Sequence, residues 1–178
     1  MISLQNFLSD YNKTMSILTT KPVTQVPNTL IYRLPNTYRY KMMSKDVLGT
    51  VGEMVAFPVR ENNQKFLWID FLAIYSAKRM GFGTKFLNFA KNLSKKSGCE
   101  GNMKLEAGTT QYDLYREPHQ FYRKYGFGSD DKKTLRKVDR ANQYNKQLKY
   151  KDVPRTEMYY PETKPKSFLQ KVLTKLGL

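Results

Sequence analysis

Lys65–Gly98, KFLWIDFLAIYSAKRMGFGTKFLNFAKNLSKKSG, constrains the fold more than any other stretch of the chain. Phe66 to Ile74 is apolar except for Asp70, and a run of that length rich in aromatic and branched side chains predicts a strand buried on both faces. A turn over Ser76–Met80 follows and closes on Gly81-Phe82-Gly83-Thr84. Phe82, Phe86, Ala90 and Leu93 then recur at three- and four-residue steps between polar residues, which predicts an amphipathic helix. A strand, a glycine turn and a helix start together form an anion site: the leading helix amides are unpaired, the helix dipole is positive there, and glycine lets a phosphate approach. Glycine pairs also close ordinary strand-to-helix turns, so the motif alone leaves both readings open.

The chain of 178 residues predicts one core and one domain. A hydrophobic content of 40%, with 13 Tyr and 10 Phe, argues for a folded protein rather than a disordered one. The 31 basic and 15 acidic residues give a net charge of +16, which favours a polyanion, an anionic membrane or a phosphate-rich cofactor as partner. From Lys132 onward there are 13 Lys or Arg and 4 Asp or Glu, so the basic surface is concentrated there. Cys99 stands alone, as does His119, so neither an internal disulfide nor a Cys–His metal cluster is expected. The segment MISLQNFLSDYNKTMSIL reads as neither a secretory signal nor a spanning helix, and the expected location is cytoplasmic.

Along the chain, residues 1–20 predict a helix, and Lys21–Asn28, bracketed by Pro22 and Pro27, an extended connector. A β-meander is expected over Leu30–Leu34, Tyr38–Met43 and Val47–Val59, with a polar turn at Glu61–Gln64. Beyond the central helix come a strand at Met103–Ala107, a short helix opened by Pro118 and ended by Gly126, and a last strand at Thr156–Tyr160. Residues 130–151 read as a surface helix or loop, and Pro165–Leu178 as a basic amphipathic helix. The fold class is α+β, or α/β with a mixed sheet flanked by helices.

Two separated pieces resemble one superfamily, the GNAT N-acyltransferases. Lys78-Arg79-Met80-Gly81-Phe82-Gly83 looks like the family's Arg/Gln-x-x-Gly-x-Gly/Ala pyrophosphate loop. Phe121-Tyr122-Arg123-Lys124-Tyr125-Gly126-Phe127 is similar to its Phe-Tyr-x-x-x-Gly-Phe segment. Lys78 stands where Arg or Gln is usual; Gln111 stands near the family's Asn, and Tyr112–Pro118 lengthens the path to Tyr122. The resemblance covers residues 29–161 as an acetyltransferase core, leaving 1–28 as helix and connector and 162–178 as the basic C-terminal helix.

The resemblance implies an acetyl-coenzyme A dependent N-acetyltransferase working by direct transfer to a primary amine, with no metal. It places the pantetheine and acyl carbonyl on Leu72, Ala73 and Ile74, the pyrophosphate on Lys78, Arg79, Met80, Gly81, Phe82, Gly83 and Thr84, and Tyr122 beside the sulfur as general acid. The base is left open by the residues: Asp70 is the carboxylate of the central strand, where burial would raise its pKa, and Glu53 and Glu106 compete with it. Tyr122 also reads as core among Phe121, Tyr125 and Phe127, His119 as a surface residue at a helix start, and Cys99 as a loop residue lacking a base. The alternative is a basic module for nucleic acid or membrane with a vestigial coenzyme A site. A basic rim would suit an acidic or nucleic-acid-linked acceptor, and the tail is expected to pack on the domain or on a second copy in a homodimer rather than on a membrane.

Overall fold

The computed structural model describes residues 24–26, 29–44, 49–75, 80–108, 117–149 and 151–162. The helices expected over residues 1–20 and 165–178 lie outside the described residues, as do Lys78, Arg79 and Gln111. In chain order the elements are β1 (Thr24–Val26), β2 (Thr29–Arg33), β3 (Arg39–Ser44), β4 (Thr50–Glu61), β5 (Gln64–Ile74), α1 (Phe82–Lys96), β6 (Met103–Ala107), α2 (His119–Tyr125), α3 (Lys132–Gln143) and β7 (Thr156–Tyr160). Each strand hydrogen-bonds to its neighbour in chain order. The pairs β1–β2, β2–β3, β3–β4 and β6–β7 are antiparallel, whereas β5 and β6 run parallel from Leu67↔Met103 to Ile69↔Leu105. A parallel step needs a long crossover, and α1 supplies it. The fold is therefore α+β with a mixed sheet, the class that the sequence predicts.

Two compact units share these elements, one holding Met1–Ala56 and Phe71–Phe89 and the other Phe57–Asp70 and Ala90–Leu178, so β4, β5 and α1 run through both. In the first unit the meander buries Ile31, Met42, Val51 and Met54, and the start of α1 buries Phe82, Phe86 and Leu87. The ring of Tyr40 meets Phe89 edge-on at 5.1 Å. Gly52 is where β4 needs glycine: a Cβ there would lie 2.7 Å from the Ala73 carbonyl oxygen and 2.8 Å from Ile74 Cδ1.

In the second unit Leu67, Ile69, Met103, Leu105 and Met158 are buried, with Phe127 below α2. Tyr122, Tyr125 and Tyr160 gather round Phe127 with ring centroids 5.5 to 6.0 Å from it. Helix α2 stops because Gly126 adopts φ 109°, a left-handed cap that glycine takes without a Cβ penalty. Helix α3 starts on Asp131, whose carboxylate accepts from the Thr134 N–H at 3.0 Å, and buries Thr134, Leu135, Val138 and Ala141 along one face.

Two expectations change. The central strand is not buried on both faces: Leu67 and Ile69 are buried, Phe66 and Trp68 are half-buried and Asp70 is exposed, the alternation of a strand with one covered face. The connector also carries a strand, β1, which register with β2 through Thr24↔Ile31 makes part of the meander. Three β-strand residues flanked by prolines give too short a pattern to read.

Gly52→Ala is expected to destabilise the protein by about 1–3 kcal/mol, because the methyl meets the Ala73 backbone carbonyl as well as the Ile74 side chain. Urea denaturation checks this, and an unchanged midpoint would mean that β4 and β5 can part there at no cost.

Candidate functional site

The residues expected to carry pantetheine and pyrophosphate fall in the first unit. Leu72, Ala73 and Ile74, at the end of β5, are half-buried. The ladder continues one residue further, where the Tyr75 N–H donates to the Val51 carbonyl at 2.9 Å. Tyr75 is 54% exposed, and its hydroxyl donates to Glu53 Oε2 at 3.2 Å. Arg39 Nε lies 3.0 Å from Glu53 Oε1. Strand register explains the pair: Arg39 faces Val55, and Glu53 is the diagonal neighbour on the same face. Glu53 is 9% exposed, one carboxylate oxygen held by Arg39 of β3 and the other by Tyr75 just past β5. Burial pushes the Tyr75 phenol above its ordinary value, and the Glu53 carboxylate adds to the effect.

Helix α1 begins beside this strand end in sequence. Gly81 has φ +79°, with open space where a Cβ would stand, and its carbonyl accepts the first helical hydrogen bond, from the Lys85 N–H at 3.0 Å. The amides of Phe82, Gly83 and Thr84 therefore precede the first intrahelical bond. The first turn carries no acidic side chain, so nothing there opposes an anion. Phe82 is buried and anchors the turn, Gly83 is half-buried, and Met80 and Thr84 are exposed. Lys85 is turned away: its ammonium donates to Thr29 Oγ1 at 3.0 Å and sits 5.2 Å from the Phe82 ring centroid.

Asp70, Glu106 and Tyr122 lie in the second unit. Asp70 was expected to be desolvated, and that expectation is corrected: the side chain is exposed, because it falls on the open face of β5, with Trp68 Nε1 3.4 Å from its Oδ1. Glu106 is exposed too, 3.7 Å from Arg155 and facing Glu157 across the β6–β7 ladder. Tyr122 is 7% exposed, with its ring 5.3 Å from Phe121 and 5.6 Å from Phe127. Burial pushes its phenol up to about 12.

His119 is not a surface residue. It is fully buried, and its Nδ1 lies 3.3 Å from Oε2 of the equally buried Glu117 without hydrogen-bond alignment. The other Glu117 oxygen accepts from the Lys151 N–H at 3.0 Å. Burial pushes the Glu117 carboxyl up and the His119 imidazole down, so both favour their uncharged forms. No local signal predicts this, since the partners of Glu117 are distant in sequence: its N–H donates to the Leu148 carbonyl at 3.1 Å, and Lys151 binds its carboxylate. Among the described residues no group of three or more His, Cys, Asp or Glu could hold a metal ion, and no helix is long and apolar enough to cross a membrane.

No family profile and no curated protein matches the chain. Solved N-acetyltransferases are similar to it at low identity. One is Arabidopsis thaliana Naa50 in complex with the bisubstrate analogue CoA-Ac-MVNAL, at 14% identity and TM-score 0.43, with 89% of this chain and 93% of that one covered. Another is the NatC complex bound to Gag peptide and CoA, at 15% identity and TM-score 0.48, covering 87% of this chain and 90% of that one. A Bacillus subtilis acetyltransferase in complex with CoA is 19% identical, with a TM-score of 0.43 over 68% of this chain and 74% of its own. The ligands in those structures belong to those proteins.

A phenol held near 12 contributes stability that is complete below its unfolded value near 10 and is lost as the pH rises from there to about 12. Tyr122→Phe is therefore expected to flatten the fall in urea-unfolding free energy between those pH values by roughly 3 kcal/mol, with other groups cancelling in the difference. Parallel curves for the two proteins would show the phenol to be solvated.

Proposed function

We propose that the chain is a GNAT-type N-acetyltransferase that moves an acetyl group from acetyl-coenzyme A to a primary amine by direct attack, within a single domain whose core spans residues 29–161. The observation that carries this reading is the succession of half-buried Leu72–Ile74, left-handed Gly81 and the acid-free first turn of α1 within one compact unit. These residues fit the coenzyme: a strand end offers backbone groups to an amide-bearing pantetheine, and free helix amides with open space over Gly81 suit a pyrophosphate. Lys78 and Arg79 complete the loop in this proposal. Acetyl-coenzyme A supplies the acyl group as an activated thioester.

The remaining work falls to this chain's side chains. An amine is protonated at neutral pH and must lose its proton before it attacks. We assign that step to Glu53, ahead of Asp70 and Glu106, because Glu53 alone of the three is buried and beside the end of β5, with Tyr75 and Arg39 fixing its orientation. Tyr122 keeps its proton at neutral pH. A phenol near 12 is a weaker acid than a thiol of ordinary pKa near 8.5, so its part is to donate a hydrogen bond to the departing sulfur rather than to surrender the proton outright.

Isothermal titration with acetyl-coenzyme A tests the reading directly; a folded protein that releases or absorbs no binding heat, over coenzyme concentrations up to about 1 mM, sinks it. Glu53→Gln is expected to lower kcat by at least about 100-fold, with Asp70→Asn and Glu106→Gln close to the parent. If Asp70→Asn gave the larger loss in a thiol-release assay, the base assignment would pass to Asp70. Tyr122→Phe should reduce kcat more than it raises KM.

A further inference from the structure

The second unit carries a feature that acyl transfer does not use. A groove of about 600 Å³ runs between α3 and the chain at Asp152–Pro154, and Lys132, Lys133, Arg136, Lys137 and Arg140 line it. These five occupy the arc of α3 opposite its buried face of Thr134, Leu135, Val138 and Ala141. Lys132, Arg136 and Arg140 follow one another at four-residue steps, about 6 Å of rise each. Tyr144, at the C-terminal cap of α3, takes the next step in that series and is 70% exposed.

Two carboxylates enter the groove, and both are engaged. Asp131 caps the helix, accepting from the Thr134 N–H at 3.0 Å and the Thr134 hydroxyl at 2.6 Å, and these bonds hold its carboxyl below the usual range. Asp152 accepts from the Lys149 N–H at 2.7 Å, and its backbone carbonyl accepts from Lys137 Nζ. Asp139, elsewhere on the helix, is taken by Arg123 at 2.6 Å. Among the described residues, Arg136 and Arg140 are exposed and in no ion pair with a carboxylate. Holding five cations this close costs self-repulsion that a bound polyanion would relieve.

We propose that this groove binds one strand of a polynucleotide, its phosphates tracking Lys132, Arg136 and Arg140 and a base stacking on Tyr144. The spacing of the cations is comparable to that of consecutive phosphates along a strand, and an aromatic platform at the end of a basic track is how proteins hold single strands without reading sequence. A bilayer would ask for several exposed apolar anchors. Among the described residues Tyr144, one helical step beyond the last lining residue of α3, Arg140, is a single large exposed apolar side chain, and an acidic peptide would have no use for it. The proposal is independent of acyl transfer and survives its failure.

Fluorescence anisotropy of a labelled 20-nucleotide oligouridylate with the full chain tests it. The parent is expected to bind with an affinity that falls as salt rises. Arg136→Ala/Arg140→Ala should weaken binding at least roughly tenfold and reduce the salt slope by about 1.4, the contribution of two single-strand phosphate contacts. Arg136→Lys/Arg140→Lys should keep the slope. Tyr144→Ala should weaken binding at least about fivefold with the slope unchanged. Arg60→Ala/Lys96→Ala removes the same charge from exposed positions outside the groove. An equal loss from that control pair would overturn the proposal in favour of diffuse attraction. So would tighter binding of a 20-residue polyglutamate, or of vesicles with 30% phosphatidylserine, that is abolished by the groove variant. Circular dichroism on each variant confirms the fold.

Discussion

The approach of β4 to the end of β5 governs most of what the first unit can do. At Gly52 the two backbones come so near that any side chain would strike the Ala73 carbonyl and Ile74. That closeness lets the ladder run on to Tyr75, whose N–H reaches Val51, and so delivers the phenol to Glu53 in the next position of β4. A single missing Cβ thus allows the close approach that brings Tyr75 to the carboxylate that we assign as base.

Buried polar groups are treated in two different ways in this molecule. Glu53 is buried but satisfied, with an arginine and a hydroxyl on its two oxygens, an arrangement that keeps a carboxylate in one orientation. Glu117 and His119 are buried and incompletely satisfied, and desolvation moves each toward neutrality. An orphaned buried polar atom costs about 1–3 kcal/mol. The aromatic packing around Phe127 and the links from Gln120 to Asn142, Lys146 and Leu148 hold α2 in place in spite of that cost. Tyr122 on the same helix is buried by that packing, so its catalytic and structural readings share one environment.

Long-period patterns were legible in the sequence. The meander, the helix after the glycine turn, α2 between Pro118 and Gly126, and β7 all appear at the residues that composition and turn signals mark. Phe82, Phe86 and Ala90 are buried as their spacing requires, with Leu93 half-buried. Residue-level burial was not legible. Asp70 interrupts an apolar run and looks desolvated, yet it faces out; His119 opens a polar-looking helix, yet it is enclosed. For Asp70 the deciding fact is which face of β5 is covered; beside His119, the buried Glu117 is bound by Leu148 and Lys151, both distant in sequence.

By itself the sequence determined the type of the longer elements from Thr29 onward, the glycine at the helix start and the concentration of positive charge beyond Lys132, because periodicity, backbone freedom and net charge are local or additive properties. Only the tertiary structure decided which carboxylate is buried beside β5 and which cations line one groove. Those depend on strand register and on which helix face is covered, and a shift of one residue in either would exchange the inside for the outside.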